Sequence, residues 1–386
     1  MSLAPALSDL TAEETALIEA AAEFARTELL AVDRACDADE SPVTSLLPRL
    51  SEMGFLNLCL PEEVNGIGCR YAVYAAIMHE IAAWAPSVCV TLLVHNMVGS
   101  VLNRYLPDPS RREWLGQFGK PESLAAFAIT EAGAGSDSAG VKTTADKAEG
   151  GFRLTGEKMW ITNGITARWF LVLARLQHAG QGSEFCAFIV DGNRRGVERT
   201  KMIGKMGIRG SETAVIHFSD VFVPFDHVLG EPGKGRQVFL SSLNVGRIGI
   251  ASQATGIAEA CLREMVTYAR QREQFGQPIG TFQAVANMIG ESFMELEAAK
   301  ALVWRAAQTV DAGNTDRTAS SMAKLFATES ANRIAYRAVQ VHGGTGYVRE
   351  CRVEQLYRDA RVTTIYEGTS EIQRLVIADE LRPLSV

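Results

Sequence analysis

The sequence predicts an α+β fold of three successive parts, which are helical, then β, then helical again. Apolar residues recur with helical spacing over the first 120 or so residues and again after Gly235, whereas short runs of Val, Ile and aromatic residues lie between these two parts. A chain of 386 residues also exceeds the usual size of one domain. The predicted domains are 1–122, 123–232 and 233–386.

The N-terminal domain is predicted to be a bundle of helices. Thr11 and Glu14 have the spacing of a capping box, which predicts that a helix begins there. The apolar residues that follow at helical spacing are Leu17, Ile18, Ala21, Ala25 and Leu29. Residues 81–103 have no charged side chain over a length that could span a bilayer, but they include His95 and Asn96. We therefore expect a buried helix pair there and no membrane span.

The middle domain is predicted to be an antiparallel sheet. Its clearest strands are 169–176, 184–191 and 213–223, which are rich in β-branched and aromatic residues and are separated by turn-forming residues. No helical pattern of ten or more residues intervenes between them, which argues against βαβ units and a parallel sheet.

The C-terminal domain is predicted to be an antiparallel bundle of long helices. These helices are expected near 237–273, 282–312 and 316–341. The second helix has an apolar face that is predicted to pack in the bundle. This face consists of Ala286, Met288, Ile289, Phe293, Leu296, Ala299 and Leu302.

Composition excludes several classes of protein. With 47% hydrophobic and 22% charged residues, the chain is too apolar for wholesale disorder. A net charge of −7 argues against a nucleic-acid binder that relies on general attraction to phosphates. The seven cysteines form no close pair and the six histidines show no HExxH spacing, so that neither a disulfide framework nor a metal site is predicted.

The N-terminal residues predict the location of the protein. Residues 1–30 lack the basic and apolar regions of a signal peptide, and the unpaired cysteines fit a reducing compartment. We therefore expect a cytoplasmic protein, and the start at Met1 favours a bacterial enzyme over a processed matrix form.

Two motifs of the middle domain could bind a cofactor. Residues 127–137 form a glycine-rich segment in which Thr130 and Ser136 can hydrogen-bond a polar edge or phosphates, although the segment lacks the G-x-G-x-x-G pattern. In the second motif, residues 160–164, Trp160 could cover a planar ring while Thr162 bonds its edge. The alternatives are a structural loop and a hairpin with a core tryptophan.

Three motifs of the C-terminal domain are also candidates. Residues 272–276 could bind a ligand or only end a helix, and the glycine-rich turn at 340–346 offers backbone N–H groups that suit a pyrophosphate. Glu367 lies beside Gly368, and a carboxylate in an apolar pocket becomes a stronger base when water is excluded. The alternative is that Glu367 caps the following helix.

In this order and at these separations, the motifs resemble those of the acyl-CoA dehydrogenase family. The matching segments are Thr-Glu-Ala-Gly-Ala-Gly-Ser-Asp, Trp-Ile-Thr-Asn-Gly, Arg-Glu-Gln-Phe-Gly, Gln-Val-His-Gly-Gly-Thr-Gly-Tyr and Tyr-Glu-Gly-Thr-Ser-Glu-Ile-Gln. The resemblance extends from the N-terminal helices to Arg382. It implies an N-terminal helical domain, a middle antiparallel β domain and a C-terminal four-helix bundle, usually assembled as a homotetramer.

The resemblance further implies FAD as the cofactor, held by one subunit and a neighbour. The residues that would line the flavin and its phosphates are Phe127, Ile129, Thr130, Gly135 and Ser136, with Trp160, Ile161 and Thr162 at the isoalloxazine ring. The residues that would come from the neighbouring subunit are Arg272, Glu273, Gln274, Phe282 and Gln283, together with Gln340, Val341, His342, Gly343 and Gly344. Thr369 and Glu371 would complete the site.

Glu367 matches the catalytic base of the family. The resemblance implies that it removes the pro-R α-proton of an acyl-CoA thioester while the β-hydrogen leaves as hydride to flavin N5, which yields a trans-2-enoyl-CoA. The Glu367 N–H and a flavin ribityl hydroxyl would bind the thioester oxygen. Two branches of the family place the base at the position of Gly246, where glycine cannot serve.

The resemblance also identifies residues that would contact the acyl-CoA substrate. Asn244 and Arg247 would meet the CoA part, although the family often has Asp at the position of Asn244. Ser136 and Gly368 would touch the substrate as well. Gln253 and Thr363 are similar to residues that shorten the acyl pocket in the short-chain and short branched-chain members, which predicts a short acyl group.

Electron-transfer flavoprotein is the implied electron acceptor. The length of the chain, without a further C-terminal domain, favours a dehydrogenase over an acyl-CoA oxidase that passes electrons to O₂. A flavin-containing relative associated with nucleic acid would need a basic C-terminal surface, and residues 360–386 are mixed in charge.

Overall fold

A computed structural model describes residues 9–108, 110–177, 184–314 and 316–382. In it, helical N-terminal and C-terminal parts lie on either side of the middle sheet in the chain, so that the predicted order of helix, sheet and helix is confirmed.

The N-terminal part consists of helices, of which the first two are continuous through a π-helical segment, Ala25–Leu29. These helices are α1 (Ala12–Phe24), α2 (Leu30–Asp39), α3 (Leu47–Glu52), α4 (Tyr71–Trp84), α5 (Pro86–Tyr105) and α6 (Ser110–Leu115). The predicted capping box is present, because the Glu14 N–H donates to Thr11 Oγ1 at 3.1 Å and the Thr11 N–H donates to Glu14 Oε2 at 2.9 Å.

The uncharged stretch forms the buried pair α4 and α5, as predicted. The helices meet at Ala85, whose backbone is not helical (φ −142°, ψ 76°) because Pro86 follows it. Helix α5 is long and apolar enough to cross a membrane, but 83% of its most apolar window is buried inside the protein. One of its polar side chains is anchored to the backbone, since the Asn96 amide donates to the carbonyls of Phe55 and Leu92. Burial lowers the pKa of His95 to about 3, so that the ring is neutral.

The middle part is one sheet in which most neighbouring strands are antiparallel. Its strands are β1 (Ala125–Ala128), β2 (Thr144–Ala148), β3 (Gly151–Thr162), β4 (Trp169–Leu176), β5 (Phe185–Asp191), β6 (Val197–Lys201), β7 (Thr213–Pro224) and β8 (Val228–Gly233). The order is β6-β7-β3-β2-β4-β5-β8, and β1 pairs with β4.

Two parallel pairings were not predicted. Strands β1 and β2 both run parallel to β4, β1 opposite residues 169–172 and β2 opposite residues 175–176. The two short strands therefore follow one another along the same side of β4, and the glycine-rich segment is the excursion between them. A parallel pair is possible here without a crossover helix because that excursion returns the chain to the same line.

The C-terminal part is built on α7 (Gly235–Gln271), the longest helix among the described residues. It continues through a small hairpin, β9 (Glu273–Gln274) and β10 (Gln277–Pro278), to the later helices. These are α8 (Gln283–Asp311), α9 (Arg317–His342), α10 (Arg352–Val362) and α11 (Ser370–Leu381). Helix α7 packs against α4, α5, α8 and α9, and thus joins the N-terminal helices to the bundle.

The predicted core face of α8 was wrong at two positions. Ala286 is exposed and Phe293 is 43% exposed, whereas the small residue Ser292 lies fully buried on the line that contains Leu296 and Ala299. Neighbouring positions on a helix point about 100° apart, so that burying Ser292 turns Phe293 outward. Hydrophobicity alone could not show that a serine occupies the core line.

Candidate active site

Helix α5 supports both the end of β3 and the first half of α7. On its sheet side, the buried Asn163 donates from Nδ2 to the Thr91 carbonyl at 3.1 Å and to the Ala125 carbonyl at 3.0 Å. On its other side, a Cβ placed on Gly246 of α7 would lie 2.9 Å from Met97 Sδ. Helix α5 therefore holds β3, which carries Trp160, near α7, which faces Glu367.

A buried ion pair holds the glycine-rich loop. Lys158 of β3 is fully buried, and its Nζ donates to Glu131 Oε1 at 2.8 Å and to the Ile129 carbonyl at 3.1 Å. Glu131 also accepts from the N–H groups of Lys142 at 2.6 Å and Thr143 at 3.0 Å. The pair thus ties both ends of the loop to the sheet.

Burial and pairing act against each other in this ion pair. Burial lowers the pKa of Lys158 to about 8, and the bond to Glu131 opposes that effect. Burial alone would raise the pKa of Glu131, but the hydrogen bonds from Lys158, Thr143 and Lys142 and the charge of Lys158 together outweigh burial and keep this pKa below its usual value. At neutral pH both groups are charged.

The loop itself is open toward solvent. Ser136 is exposed, and a Cβ at Gly133 or Gly135 would meet no atom within 4 Å. The Met159 N–H donates to the Thr130 carbonyl at 2.9 Å, which places the loop beside the strand residue that precedes Trp160. Of the other predicted loop residues, Phe127 packs on Phe239 of α7 and Ile129 is partly buried.

Trp160 is held in an unusual conformation and is not a core residue. Its φ is +61°, and the pairing of β3 with β7 shifts register between Lys158 and Ile161. The bulge leaves the Trp160 side chain 58% exposed, while Ile161 is buried and Thr162 is half-buried. The alternative of a core tryptophan is therefore wrong. An exposed indole beside an open, glycine-rich loop fits a planar cofactor with a polar tail.

Glu367 and Gly368 form a left-handed turn before α11. Their φ angles are +52° and +90°. Gln373 donates from Nε2 to the carbonyls of Glu367 at 3.2 Å and Gly368 at 2.9 Å, and Lys324 Nζ donates to the Gly368 carbonyl at 2.8 Å. Thr369 caps α11 by accepting from the Ile372 N–H, so that the capping alternative for Glu367 is wrong.

The Glu367 carboxylate has a buried oxygen without a partner. Among the described residues, Oε2 accepts no hydrogen bond. Burial raises the pKa of Glu367, and the positive charges of Arg247 and Lys324 partly oppose this rise. A carboxylate with a raised pKa and a free oxygen has the properties of a general base.

Gly246 makes room for that carboxylate. A Cβ at this position would lie 2.5 Å from Glu367 Oε2. Position 246 on α7 and the Glu367 side chain therefore meet at one point, although they are far apart in sequence.

The residues predicted near the substrate have partners inside the protein. Arg247 is buried and donates from Nη1 to Ser321 Oγ at 3.2 Å, while Asn244 Oδ1 accepts from Ser320 at 3.2 Å. Gln253 is fully buried, donates to the Pro86 carbonyl at 2.9 Å and accepts from the Tyr366 hydroxyl. These contacts fix Tyr366, which precedes Glu367.

Thr363 has a similar supporting position. Its side chain is fully buried, and its hydroxyl donates to the Ala360 carbonyl at 2.7 Å at the end of α10. The residue thus holds the start of the segment that leads to Glu367. Thr369 and Glu371, on the other side of the base, line a cavity of about 330 Å³. The other residues of its lining are Glu329, Asn332, Arg361, Thr364, Ile365 and Ser370.

The remaining predicted residues lie at the far end of the bundle. Arg272 follows the last residue of α7, and 1.5 Å of rise per residue separates it from Gly246 by about 39 Å along the helix. The His342 ring stacks on Tyr268, with 4.3 Å between ring centroids, so that the glycine-rich turn after α9 lies at the same end.

Within one chain, the structure does not bring this second group to Glu367. Exposed members of the group are Arg272, Glu273, Gln274, Gln283, Gln340, Gly343 and Gly344, whereas Phe282 is half-buried and Val341 and His342 are buried.

Sequence reasoning missed the residues that position the site. Glu131 stands inside a quoted motif and Lys158 stands two residues before Trp160, but no periodicity marks an ion pair between them. Lys324 and Gln373 lie on helices and bind backbone carbonyls, which leaves no pattern in the sequence. Among the described residues, no group of three or more His, Cys, Asp or Glu side chains could hold a metal ion.

Comparison with known proteins adds a family to this geometry. Three family profiles match in succession, namely Acyl-CoA dehydrogenase, N-terminal domain over residues 11–122, middle domain over 126–221 and C-terminal domain over 233–382. The mitochondrial short-chain specific acyl-CoA dehydrogenase of Rattus norvegicus is 39% identical, over 93% of this chain and 87% of that protein.

Two further relatives are similar over nearly their whole length. The CarC subunit of the caffeyl-CoA reductase-Etf complex of Acetobacterium woodii is 38% identical, over 94% of this chain and 96% of that protein. The structure of butyryl-CoA dehydrogenase from Megasphaera elsdenii matches with a TM-score of 0.94 at 32% identity, over 97% of this chain and 99% of that chain. The resemblance and the fold inferred from the sequence are confirmed.

The ion pair under the glycine-rich loop gives a testable prediction. We expect Glu131→Gln to lower the free energy of unfolding by about 3–5 kcal/mol, because it leaves the buried Lys158 ammonium without its counter-ion. Urea unfolding at pH 7 measures the change. Glu157→Gln is the control, since Glu157 lies on β3, the strand of Lys158, but pairs with His217 at the surface. Equal losses in both variants would contradict the assigned role of the pair.

Proposed function

This chain belongs to the acyl-CoA dehydrogenase family, and we propose that it converts short-chain or short branched-chain acyl-CoA thioesters to trans-2-enoyl-CoA, with electron-transfer flavoprotein as acceptor. As a member of this family, it is an oxidoreductase that acts on CH–CH bonds and binds FAD. The observation that carries the proposal is the Glu367 carboxylate, whose buried Oε2 has no partner among the described residues.

Glu367 is the proton acceptor of the proposed reaction. An α-proton of a thioester is weakly acidic, so that its removal needs a base strengthened by burial, and burial raises the pKa of Glu367. Arg247 and Lys324 limit this rise, which keeps the carboxylate available in its ionised form. The fixed turn at Gly368 aims the base because both carbonyls of the turn are hydrogen-bonded to the protein.

The backbone of the same residue is free to bind the developing enolate. Among the described residues, no hydrogen bond engages the Glu367 N–H. An N–H donor near the thioester oxygen stabilises negative charge most when water is excluded. One residue would thus take the proton through its side chain and bind the oxygen through its backbone.

The glycine-rich loop and the exposed Trp160 side chain would hold FAD. When it is bound, FAD supplies the acceptor for the β-hydrogen, which leaves as hydride. Thr130 and Ser136 would contact the polar part of the cofactor, and Trp160 and Thr162 would contact the ring. The Lys158–Glu131 pair keeps this surface in place beneath them.

Gln253 supports the proposal of a short acyl group. Its side chain is fully buried and has hydrogen bonds at both ends, to Pro86 and Tyr366. Displacing it would break two buried hydrogen bonds, which favours a pocket of fixed length. Each methylene that cannot enter such a pocket forfeits about 0.8 kcal/mol of burial.

A second copy of the chain completes the proposed cofactor site. The group around Arg272 and Gly343 is about 39 Å along α7 from the position that faces Glu367, too far for one flavin to contact both groups within one chain. This distance supports a homo-oligomer, and we propose a homotetramer. The exposed Phe293 and Met294 on α8 are apolar residues that such an assembly would cover.

The proposed electron acceptor rests on a relative. CarC is named as a subunit of a complex with Etf and is 38% identical to this chain. A cytoplasmic, bacterial location stays a prediction.

The first test is an anaerobic titration of the purified flavoprotein with butyryl-, isobutyryl-, isovaleryl-, 2-methylbutyryl-, hexanoyl- and octanoyl-CoA. We expect a short acyl-CoA to bleach the flavin rapidly and longer chains to react progressively less, because each further methylene that cannot enter the pocket stays unburied. Absorbance near the visible maximum measures the reduction. Bleaching only by octanoyl-CoA would contradict the chain-length proposal, and absence of bleaching by all six would contradict the proposed reaction. Rapid reoxidation by O₂ would favour an oxidase.

The second test is Glu367→Gln. We expect this variant to retain FAD and to lose about 10²–10⁴-fold in the rate of flavin reduction, because the amide cannot accept the α-proton. In the wild type, the rate should fall as pH drops through the raised pKa of Glu367, since the base must be ionised. Glu350→Gln, at an exposed position, should behave as wild type. Substantial dehydrogenation by Glu367→Gln would contradict the assignment of Glu367 as the catalytic base.

The third test addresses the shared site. We expect Glu367→Gln and Arg272→Ala each to be inactive as pure oligomers, and activity to reappear when both chains are co-expressed. In a mixed pair one site contains both defects and the other contains neither. Flavin content and turnover of the co-purified oligomer measure the recovery. If mixed oligomers stay inactive while both chains are shown to be present, the cofactor site does not combine these residues from two subunits.

A further inference from the structure

We propose that Lys324 is a positioning residue that sets both the conformation and the ionisation of Glu367. The proposal rests on the proposed function, since it assigns the lysine a role in proton removal by Glu367. Lys324 lies in α9, on a helix that supplies no residue to the motif containing the base.

The contact of Lys324 is specific. Its side chain is fully buried, and among the described residues its one hydrogen bond runs from Nζ to the Gly368 carbonyl at 2.8 Å. A buried ammonium is costly unless it is paired, and it has three protons to donate. Placing a lysine there only to bind one carbonyl would be an unfavourable way to stabilise a turn.

The turn needs such a donor. Glu367 has a φ of +52°, a left-handed conformation that is unfavourable for a residue other than glycine. Lys324 and Gln373 hold the carbonyls that this conformation turns inward. The same two contacts leave the Glu367 N–H free and the side chain directed toward Gly246. Loss of the lysine contact should loosen the aim of the base.

The charges around Lys324 connect it to the base. The groups that face it are Glu367 on the turn, Arg247 on α7, Glu329 on its own helix and Glu371 on α11. Glu371 is 77% exposed and Glu329 is 34% exposed, so that Glu367 is the carboxylate with which a buried ammonium interacts with least screening. Burial lowers the pKa of Lys324 to about 8, which leaves it mostly charged at neutral pH.

The sign of the effect follows from these charges. A cation near Glu367 favours the ionised carboxylate, so that removing it raises the pKa of the base. The rate of flavin reduction should then begin to rise only at higher pH. The difference from wild type should be largest at acidic pH and should narrow at alkaline pH, where Glu367 is ionised in both proteins.

The experiment compares Lys324→Met, Lys324→Gln and Lys300→Met in the intact flavoprotein. Methionine removes both the charge and the hydrogen bond, whereas glutamine keeps an N–H donor on a side chain one bond shorter. Lys300 is the matched control, because it is also buried but its Nζ pairs with Glu259 between α7 and α8. The rate of anaerobic flavin reduction by butyryl-CoA is measured against pH, and the dissociation constant for crotonyl-CoA is measured by calorimetry.

We expect Lys324→Met to reduce the rate at pH 7 by about tenfold or more, because a small displacement of a catalytic group has an effect of this size. Its rate profile should shift to higher pH while the crotonyl-CoA dissociation constant stays within about twofold. Lys324→Gln should show the same shift with a smaller loss of rate at alkaline pH. Lys300→Met should keep the wild-type profile, even if its midpoint of unfolding falls.

Two results would overturn the proposal. The first is a folded Lys324→Met enzyme with the wild-type rate and profile. The second is loss of folding in both Lys324 variants but not in Lys300→Met, which would assign the lysine to stability alone. Failure of the wild type to reduce its flavin with any acyl-CoA would instead refute the proposed function, so that the two failures are distinguishable.

Discussion

The length and continuity of α7 constrain everything else in this protein. This helix of 37 residues begins beside the sheet, passes the N-terminal helices and ends at the hairpin that starts with Glu273. Near its start, Gly246 has no side chain, and the Glu367 carboxylate occupies the space. Because a straight helix cannot bring its two ends together, the residues at its far end stay apart from Glu367 within one chain.

Three buried lysines illustrate how the fold treats charge. Lys158 pairs with Glu131 under the glycine-rich loop, and Lys300 pairs with Glu259 inside the bundle. Both pairs join separate segments of the chain, which is the usual role of a buried charge that has found its counter-ion. Lys324 differs because its hydrogen bond is to a carbonyl, and the buried carboxylate it faces is that of Glu367, the proposed base. The cost of burying the Lys324 ammonium is understandable if its charge assists proton removal by Glu367.

The sequence was sufficient for features that depend on local patterns. The capping box at Thr11, the paired buried helices around Pro86 and the strand 169–176 are confirmed because each is specified by neighbouring residues. Prediction was wrong at Phe293, which is exposed because Ser292 occupies the core line. At Trp160 the sequence left two alternatives open, and the bulge that exposes the indole excludes the core tryptophan.

The sequence by itself determined the family, the order of the three parts and Glu367 as the candidate base, because ordered motifs and periodicity are properties of the chain. Only the tertiary structure decided how that base is held. Lys324, Gln373 and Gly246 come from three different helices. Lys324 and Gln373 bind the Gly368 carbonyl and so hold the left-handed turn, while Gly246 leaves space for the Glu367 carboxylate. Contacts of this kind depend on distances in the folded molecule, and no spacing of residue types encodes them.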